Sequence, residues 1–238
     1  MPPATSIHVR PTAELAERVL LPGDPGRALA LAQALLEKPL MFNHHRGLWG
    51  YTGRADDGEP LTIQSTGMGG PSAAIVLHEL IALGARRAVR VGTCGALDGG
   101  LRLGDVLVVR EALAADGTSR ALGADECVAA DAALTAALER ATGSAAARIA
   151  STDLFYEPNP ERERDWRAAG AVAVEMEAAT LFALGARMQI PVACVLTISD
   201  LIAGDARGGR PPRERIDDDA LLAAAERMAR AALGALTV

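Results

Sequence analysis

The sequence predicts an α/β sandwich around a mostly parallel or mixed central sheet. Short apolar runs alternate along the chain with longer segments of helical periodicity, the pattern of strands alternating with helices. Half of the 238 residues are hydrophobic but only 3% are aromatic. Ala, Leu and Val must therefore build the core by close packing. No repeat or low-complexity linker divides the chain, so residues 1–238 are expected to form a single domain.

The elements follow in order. Arg18–Leu21 reads as a buried strand stopped by Pro22-Gly-Asp-Pro25, and a helix runs from about Gly26 to Glu37. Three short strands fall between residues 40 and 66, with Asp56-Asp-Gly58 as a hairpin turn. A helix over Pro71–Leu83 has Pro in its first turn, where a missing N–H costs nothing. Ala88–Val91 is a strand ending in Gly92-Thr-Cys-Gly95, and Asp105–Arg110 is another. Asp131–Ala141 is helical. Ala171–Val174 is a strand leading into a helix over Met176–Met188. Val192–Ile198 is a strand ending at Ser199-Asp200. The last helix spans about Asp217–Leu236, its three opening aspartates matching the positive end of the helix dipole.

Composition excludes several classes. A net charge of −6 without a basic tail argues against nonspecific nucleic-acid binding. Cys94, Cys127 and Cys194 are too few for a disulfide framework and too far apart for a zinc site. No signal peptide or membrane-length apolar run is evident, and the cytoplasm is the expected compartment. Lys38 is the only lysine among 24 basic residues, so each Arg must be judged by its context. The aromatics cluster at Phe42, Trp49 and Tyr51, and again at Phe155-Tyr156.

In open α/β sheets ligands bind beyond the C-terminal ends of the strands, and four such ends carry unusual residues. In Leu21–Arg27, Gly23 permits close backbone approach and a helix N-terminus follows. Arg27 can add a charge-assisted bond to an anion held there. Arg90 lies inside the apolar run Ala-Val-Arg-Val, and a charge so placed needs a partner or a ligand. Thr93 follows it among glycines. Cys94 has no basic neighbour in sequence and reads as a packing residue rather than a nucleophile. Glu175 and Glu177 flank Met176 at a strand–helix junction, where i and i+2 of an extended segment share a side. A carboxylate there can accept both hydroxyls of a vicinal diol. Asp200 ends an apolar strand beside Ser199. Desolvation at such a place favours the protonated carboxyl that a general acid needs. A fifth stretch, Ser65–Pro71, sets three glycines before a helix. Each stretch taken alone also fits an ordinary turn or cap.

Taken in order, Gly23-Asp-Pro-x-Arg27, Arg46-Gly, Gly67-Met-Gly, Arg90-Val-Gly-Thr-Cys-Gly95, Ser151-x-Asp-x-Phe-Tyr156, Val174-Glu-Met-Glu177 and Ser199-Asp200 resemble the hexameric nucleoside phosphorylase family. That family includes bacterial purine nucleoside phosphorylases and uridine phosphorylases, and the likeness runs from about His8 to Arg213. It implies a three-layer α/β/α sandwich around a mixed central sheet. It also implies phosphorolysis of purine (deoxy)ribonucleosides to free base and (deoxy)ribose 1-phosphate, with inorganic phosphate as co-substrate and no other cofactor or metal. Gly23, Arg27, Arg90 and Thr93 match phosphate-binding positions. Arg46 and His8 match residues that a neighbouring subunit lends to the phosphate and to the ribose 5′-hydroxyl, within a hexamer built as a trimer of dimers. Glu177 matches the ribose-diol carboxylate, with Met176 under the sugar. Cys94, Gly95, Phe155, Val174, Glu175 and Ser199 join the nucleoside contacts. Asp200 matches the acid that protonates the purine at N7, with Arg213 as its helper and Arg210 and Arg215 as neighbouring alternatives.

The resemblance leaves the base to be argued. Uridine phosphorylases of this family carry a Gln-x-Arg pair after the Phe-Tyr region. Here Gln33, Gln64 and Gln189 are the only glutamines, and none lies there. Purine is favoured. Asp116-Gly-Thr-Ser119 looks more like the uridine or methylthioadenosine branch. A nucleosidase on the same fold would not need Arg27, Arg46 and Arg90 on one anion. A non-catalytic nucleoside sensor would not keep Asp200 with them. No Gly-x-Gly-x-x-Gly opens the first βα unit, which excludes a dinucleotide oxidoreductase.

Overall fold

The computed structural model describes residues 6–159, 161–202 and 214–237. The elements are β1 (Arg18–Leu21), α1 (Pro25–Leu35), β2 (Leu36–Asn43), β3 (Gly50–Ala55), β4 (Pro60–Gln64), α2 (Gly70–Leu83), β5 (Arg87–Ala96) and β6 (Val106–Ala115). There follow α3 (Gly117–Ala121), β7 (Cys127–Ala129), α4 (Ala132–Thr142), β8 (Ala146–Thr152), α5 (Glu161–Ala168), β9 (Ala173–Glu175), α6 (Ala178–Met188), β10 (Val192–Leu201), β11 (Glu214–Arg215) and α7 (Asp218–Ala235).

One mixed sheet runs through the molecule. β5 pairs in parallel with β1 on one side and β10 on the other. β10 is antiparallel to β6, β6 parallel to β8, β8 parallel to β9, and β9 antiparallel to the end of β5. β5, β10, β6, β8 and β9 thus close a ring, while β1, β4, β3 and β2 extend from β5 as an open wing. Arg90 is the last β5 residue paired with β1 and Gly95 the first paired with β9. The wing and the ring diverge between them, and such a divergence leaves a crevice at the strand ends.

Side chains alternate between two cores, as the two-residue period of a strand requires. Val19, Leu21, Cys194 and Leu196 face one cluster with α2 and α6. Leu20, Val89, Ala193 and Val195 face the other with α1, α4 and α7. The sheet is therefore the middle of three layers. Small residues let the layers approach closely: Ala178, Ala179, Ala225, Ala229 and Ala232 are fully buried. α6 is buried over the whole stretch from Ala178 to Gly185, which makes it an internal helix of the α2 layer. No helix among the described residues is long and apolar enough to cross a membrane.

Several boundaries differ from the sequence reading. α1 ends at Leu35, and Leu36 already begins β2. The predicted turns Gly92–Gly95 and Ser199–Asp200 are strand residues, because β5 and β10 continue side by side through them. The helix expected from Met176 begins at Ala178. β7, β8, α3, α5 and β11 were not anticipated. β8 (AARIAST) has few β-branched residues, and α5 (ERERDWRA) is almost wholly charged.

Candidate active site

A cleft of about 410 Å³ opens where the wing leaves the ring. Gly23, Arg27, Arg90, Thr93, Cys94, Gly95, Phe155, Val174, Glu175, Met176, Glu177, Ser199 and Asp200 all line it. Residues far apart in sequence meet there because β1, β5 and β10 run parallel to one another and β9 crosses the end of β5 in the opposite direction.

Arg90 occupies the cleft floor. Its Nε donates to Glu175 Oε2 at 2.9 Å, and its Nη2 is ion-paired to Glu177 Oε2. Its Nη1 is buried and has no hydrogen-bond partner among the described residues. Burial opposes the charge, but Glu177 and Glu175 outweigh it and hold the guanidinium above its ordinary pKa. Gly92 makes room for this arrangement. A Cβ on Gly92 would lie 2.7 Å from Arg90 Cζ and Nη2. Gly23 lies close by on the wing side, its notional Cβ 4.0 Å from Nη1.

Asp24 caps α1 by accepting from the Arg27 backbone N–H at 2.7 Å, which sets Arg27 in the first turn beside the cleft. The Arg27 guanidinium makes no ion pair among the described residues. Burial depresses its pKa first, Arg90 adds to the fall, and Asp24 and Glu177 pull it back. Two guanidiniums that repel each other, one with a buried N–H face unpartnered among the described residues, have the chemistry to hold an anion.

The two carboxylates differ. Glu175 Oε1 and Oε2 accept from four protein donors: Arg90 Nε, Ser151 Oγ at 2.5 Å, Glu177 N at 2.8 Å and Ala178 N at 3.0 Å. Glu177, just before α6, accepts from Gly69 N at 2.5 Å and pairs with Arg90. Burial raises its pKa, and Arg90 opposes the rise. A carboxylate has about four lone-pair directions, so Glu177 keeps acceptor capacity facing the cleft.

Asp200 enters the cleft from β10. The β5–β10 register shifts between Ile198 and Asp200, and this bulge turns Asp200 toward Gly95. Its Oδ2 accepts from Ser199 Oγ at 2.9 Å, and Ser199 Oγ also reaches Cys94 O at 3.3 Å. A Cβ on Gly95 would lie 3.5 Å from Asp200 Oδ1 and 2.6 Å from Ile202 Cδ1. Cys94 is buried, and desolvation together with Glu175 raises its thiol pKa. Both effects disfavour the thiolate.

The structure does not bring every candidate into the cleft. His8 and Arg46 do not line it. His8 Nδ1 lies 2.8 Å from Glu79 Oε1. Arg46 sits in a 3-10 turn, His45–Gly47, in the left-handed region at φ 59°. Partial desolvation, then the charges of Arg10, Arg46, His44 and His8, depress the His45 pKa, so these basic groups share one surface. Arg213 and Arg210 lie outside the described residues. Arg215 is exposed, with its backbone paired to Asp200.

Sequence reasoning missed Thr152, Glu163, Trp166 and Ile202, all of which line the cleft. Glu163 and Trp166 are three apart on α5 and so share a helix face. A single Trp in a charged stretch was the available signal. Asp116-Gly-Thr-Ser119 does not line the cleft. Asp116 caps α3 through Ser119 N at 2.7 Å and Ser119 Oγ at 2.5 Å, and accepts from Thr180 Oγ1 of α6 at 2.7 Å. The motif is a helix cap that bridges α3 to α6.

The ring-and-wing sheet with a basic, carboxylate-lined crevice defines the class. The family model of the phosphorylase superfamily matches residues 17–237, and the chain belongs to that superfamily. It is similar to a purine nucleoside phosphorylase DeoD-type of Geobacillus kaustophilus, at 38% identity over 83% of this chain and 86% of the relative. It is similar as well to one of Caldanaerobacter subterraneus subsp. tengcongensis, at 37% identity over 84% and 90%. A crystal structure of uridine phosphorylase from Vibrio fischeri ES114 shares the fold, with a TM-score of 0.81 and 24% identity over 94% of this chain and 92% of that one.

Proposed function

We propose that the protein is a purine nucleoside phosphorylase. The observation that carries this is the set of groups gathered in one cleft: the guanidiniums of Arg27 and Arg90, the carboxylate of Glu177, and Asp200. The DeoD-type names of the relatives agree with it.

Phosphate binds between Arg27, the bare Arg90 Nη1, the Gly23 backbone and Thr93. Glu177 accepts the ribose 2′- and 3′-hydroxyls with its remaining lone pairs, and Met176 packs under the sugar. Phe155, Val174 and Gly95 border the base. Leaving-group departure breaks the C1′–N9 bond and sends its electron pair into the purine. Positive charge grows on the sugar, facing phosphate, and negative charge on the base, facing Asp200. A phosphate oxygen forms the new bond to C1′, and protonated Asp200 delivers its proton to N7. Free purine and (deoxy)ribose 1-phosphate result. Each group acts on charge that grows in the transition state, and fixing phosphate beside the anomeric carbon supplies the proximity term. Arg213 supports Asp200 in this reading.

His8 and Arg46 serve the cleft of a second copy. Their surface carries exposed Ile7, Leu40, Met41 and Trp49. Ile7–Thr12 runs along β2, with Thr12 N bonded to Phe42 O at 2.8 Å. A face this apolar beside basic groups suits a homodimer contact, and three such dimers make the proposed hexamer. Free cysteines suit the cytoplasm, where the reaction serves purine salvage.

The test is a panel of purine and pyrimidine nucleosides, each with and without phosphate. Base release from purine nucleosides that depends on phosphate is expected. Undiminished release without phosphate would make the protein a nucleosidase, and binding without release would make it a sensor.

A further inference from the structure

We infer that Glu175 is a positioning residue for Arg90 and not a ligand of the sugar. The inference rests on the proposed phosphate site. Glu175 has about four lone-pair directions and four protein donors: Arg90 Nε, Ser151 Oγ and the backbone N–H groups of Glu177 and Ala178. None is left for a ribose hydroxyl. Its side chain is 1% exposed.

The donors explain what the carboxylate does. Glu177 N and Ala178 N belong to the N-cap and the first residue of the buried α6, and Ser151 belongs to the neighbouring strand β8, where it is the register partner of Glu175. Ser151 Oγ is itself anchored, accepting from Ala179 N at 2.9 Å. Three fixed groups therefore lock the carboxylate, and the carboxylate locks the Nε edge of Arg90. A guanidinium is planar, so fixing Nε fixes its other edges. Nη2 then meets Glu177, and Nη1 is directed to the bare side near Gly23. Arg90 thus meets phosphate already oriented, and little ordering remains to be done on binding.

The experiment is a double-mutant cycle of Glu175→Gln and Arg90→Ala, with phosphate binding measured by calorimetry and nucleoside KM by base release. Glu177→Gln serves as the sugar control. Glu175→Gln should weaken phosphate binding about tenfold, the effect of a lost hydrogen bond to a charged group. It should leave nucleoside KM and the preference for a ribose diol unchanged, and in the Arg90→Ala background it should have no further effect. Ser151→Ala, which removes one anchor, should do the same more mildly and serves where Glu175→Gln folds poorly. If Glu175→Gln instead raises nucleoside KM and erases the diol preference as Glu177→Gln does, or if the cycle is additive, the inference is overturned. Wild-type protein that binds phosphate without releasing base would overturn the proposed function and leave the cycle to decide the inference. Wild-type protein that binds no phosphate would overturn both.

Discussion

Arg90 Nη2 and Glu177 Oε2 are ion-paired inside the cleft, with only 4% and 7% of their side chains exposed. The pair joins the proposed phosphate and sugar subsites through a single contact. Glu175 completes it on the Nε edge. One cation thus compensates two buried carboxylates.

Replacing Arg90 by Ala should remove phosphate saturation and leave both carboxylates without their cation. Breaking a buried pair from one side costs about 3–5 kcal/mol. The cost should depend on pH. Burial already raises the Glu177 pKa, and Arg90 is what opposes it. A carboxyl whose folded pKa lies above its unfolded value favours folding while protonated and disfavours it once ionised. The variant should therefore be most stable in acid and lose stability as pH rises above the ordinary carboxyl pKa of 4.5. Thermal denaturation from pH 4 to 8 beside wild type checks this. A flat difference would separate Glu177 from Arg90.

Asp200→Asn preserves shape and the bond from Ser199 Oγ but removes the transferable proton. Turnover of purine nucleosides should fall by about 10²–10⁴, the range of general acid–base contributions. Equilibrium binding of the same nucleosides should change little. Single-turnover base release against binding measures the split. Equal losses in both would assign Asp200 to binding.

Some of this site can be read from the chain and some cannot. Arg90 and Asp200 are legible because a charge within or at the end of an apolar strand has few explanations. The ring is not legible. It closes through the three-residue β9, whose partners β5 and β8 are set by tertiary contacts rather than by its own pattern. The residue pattern by itself does not separate Glu175 from Glu177, since both stand at the same junction and only the donors around them differ; the family resemblance alone singles out Glu177 for the diol. Trp166 was hidden by the charges of α5.

Asp116 tests whether its motif serves the fold or the base. Its carboxylate is buried and holds Ser119 and Thr180. Asp116→Ala leaves Thr180 Oγ1 and the first turn of α3 without their acceptor. Each loss costs about 1 kcal/mol or more. Stability should fall by roughly 2–3 kcal/mol, read by urea denaturation, with the ranking of nucleosides unaltered. A changed ranking with stability intact would return the motif to base recognition.

Glu79 gives the opposite pH signature from Glu177. It receives Ser6 Oγ at 2.9 Å, Ile7 N at 3.2 Å, His8 N at 2.9 Å, Val9 N at 2.7 Å and the His8 ring at 2.8 Å. Burial acts to raise its pKa, but the donors from Val9, His8 and Ser6 overcome it and bring the value down to about 2. A carboxyl depressed on folding stabilises the fold above its unfolded pKa of 4.5 and loses that contribution as pH falls through about 2. Residues 6–9 should therefore loosen between those values, seen as faster amide exchange at Ile7, His8 and Val9. Glu79→Gln keeps the shape but not the charge and should show the loosening at neutral pH. Because His8 is proposed to serve a neighbouring copy, the variant should also lose turnover in the assembled enzyme while phosphate binding at Arg90 persists. Unchanged exchange and unchanged turnover would show that Glu79 does not fasten this segment.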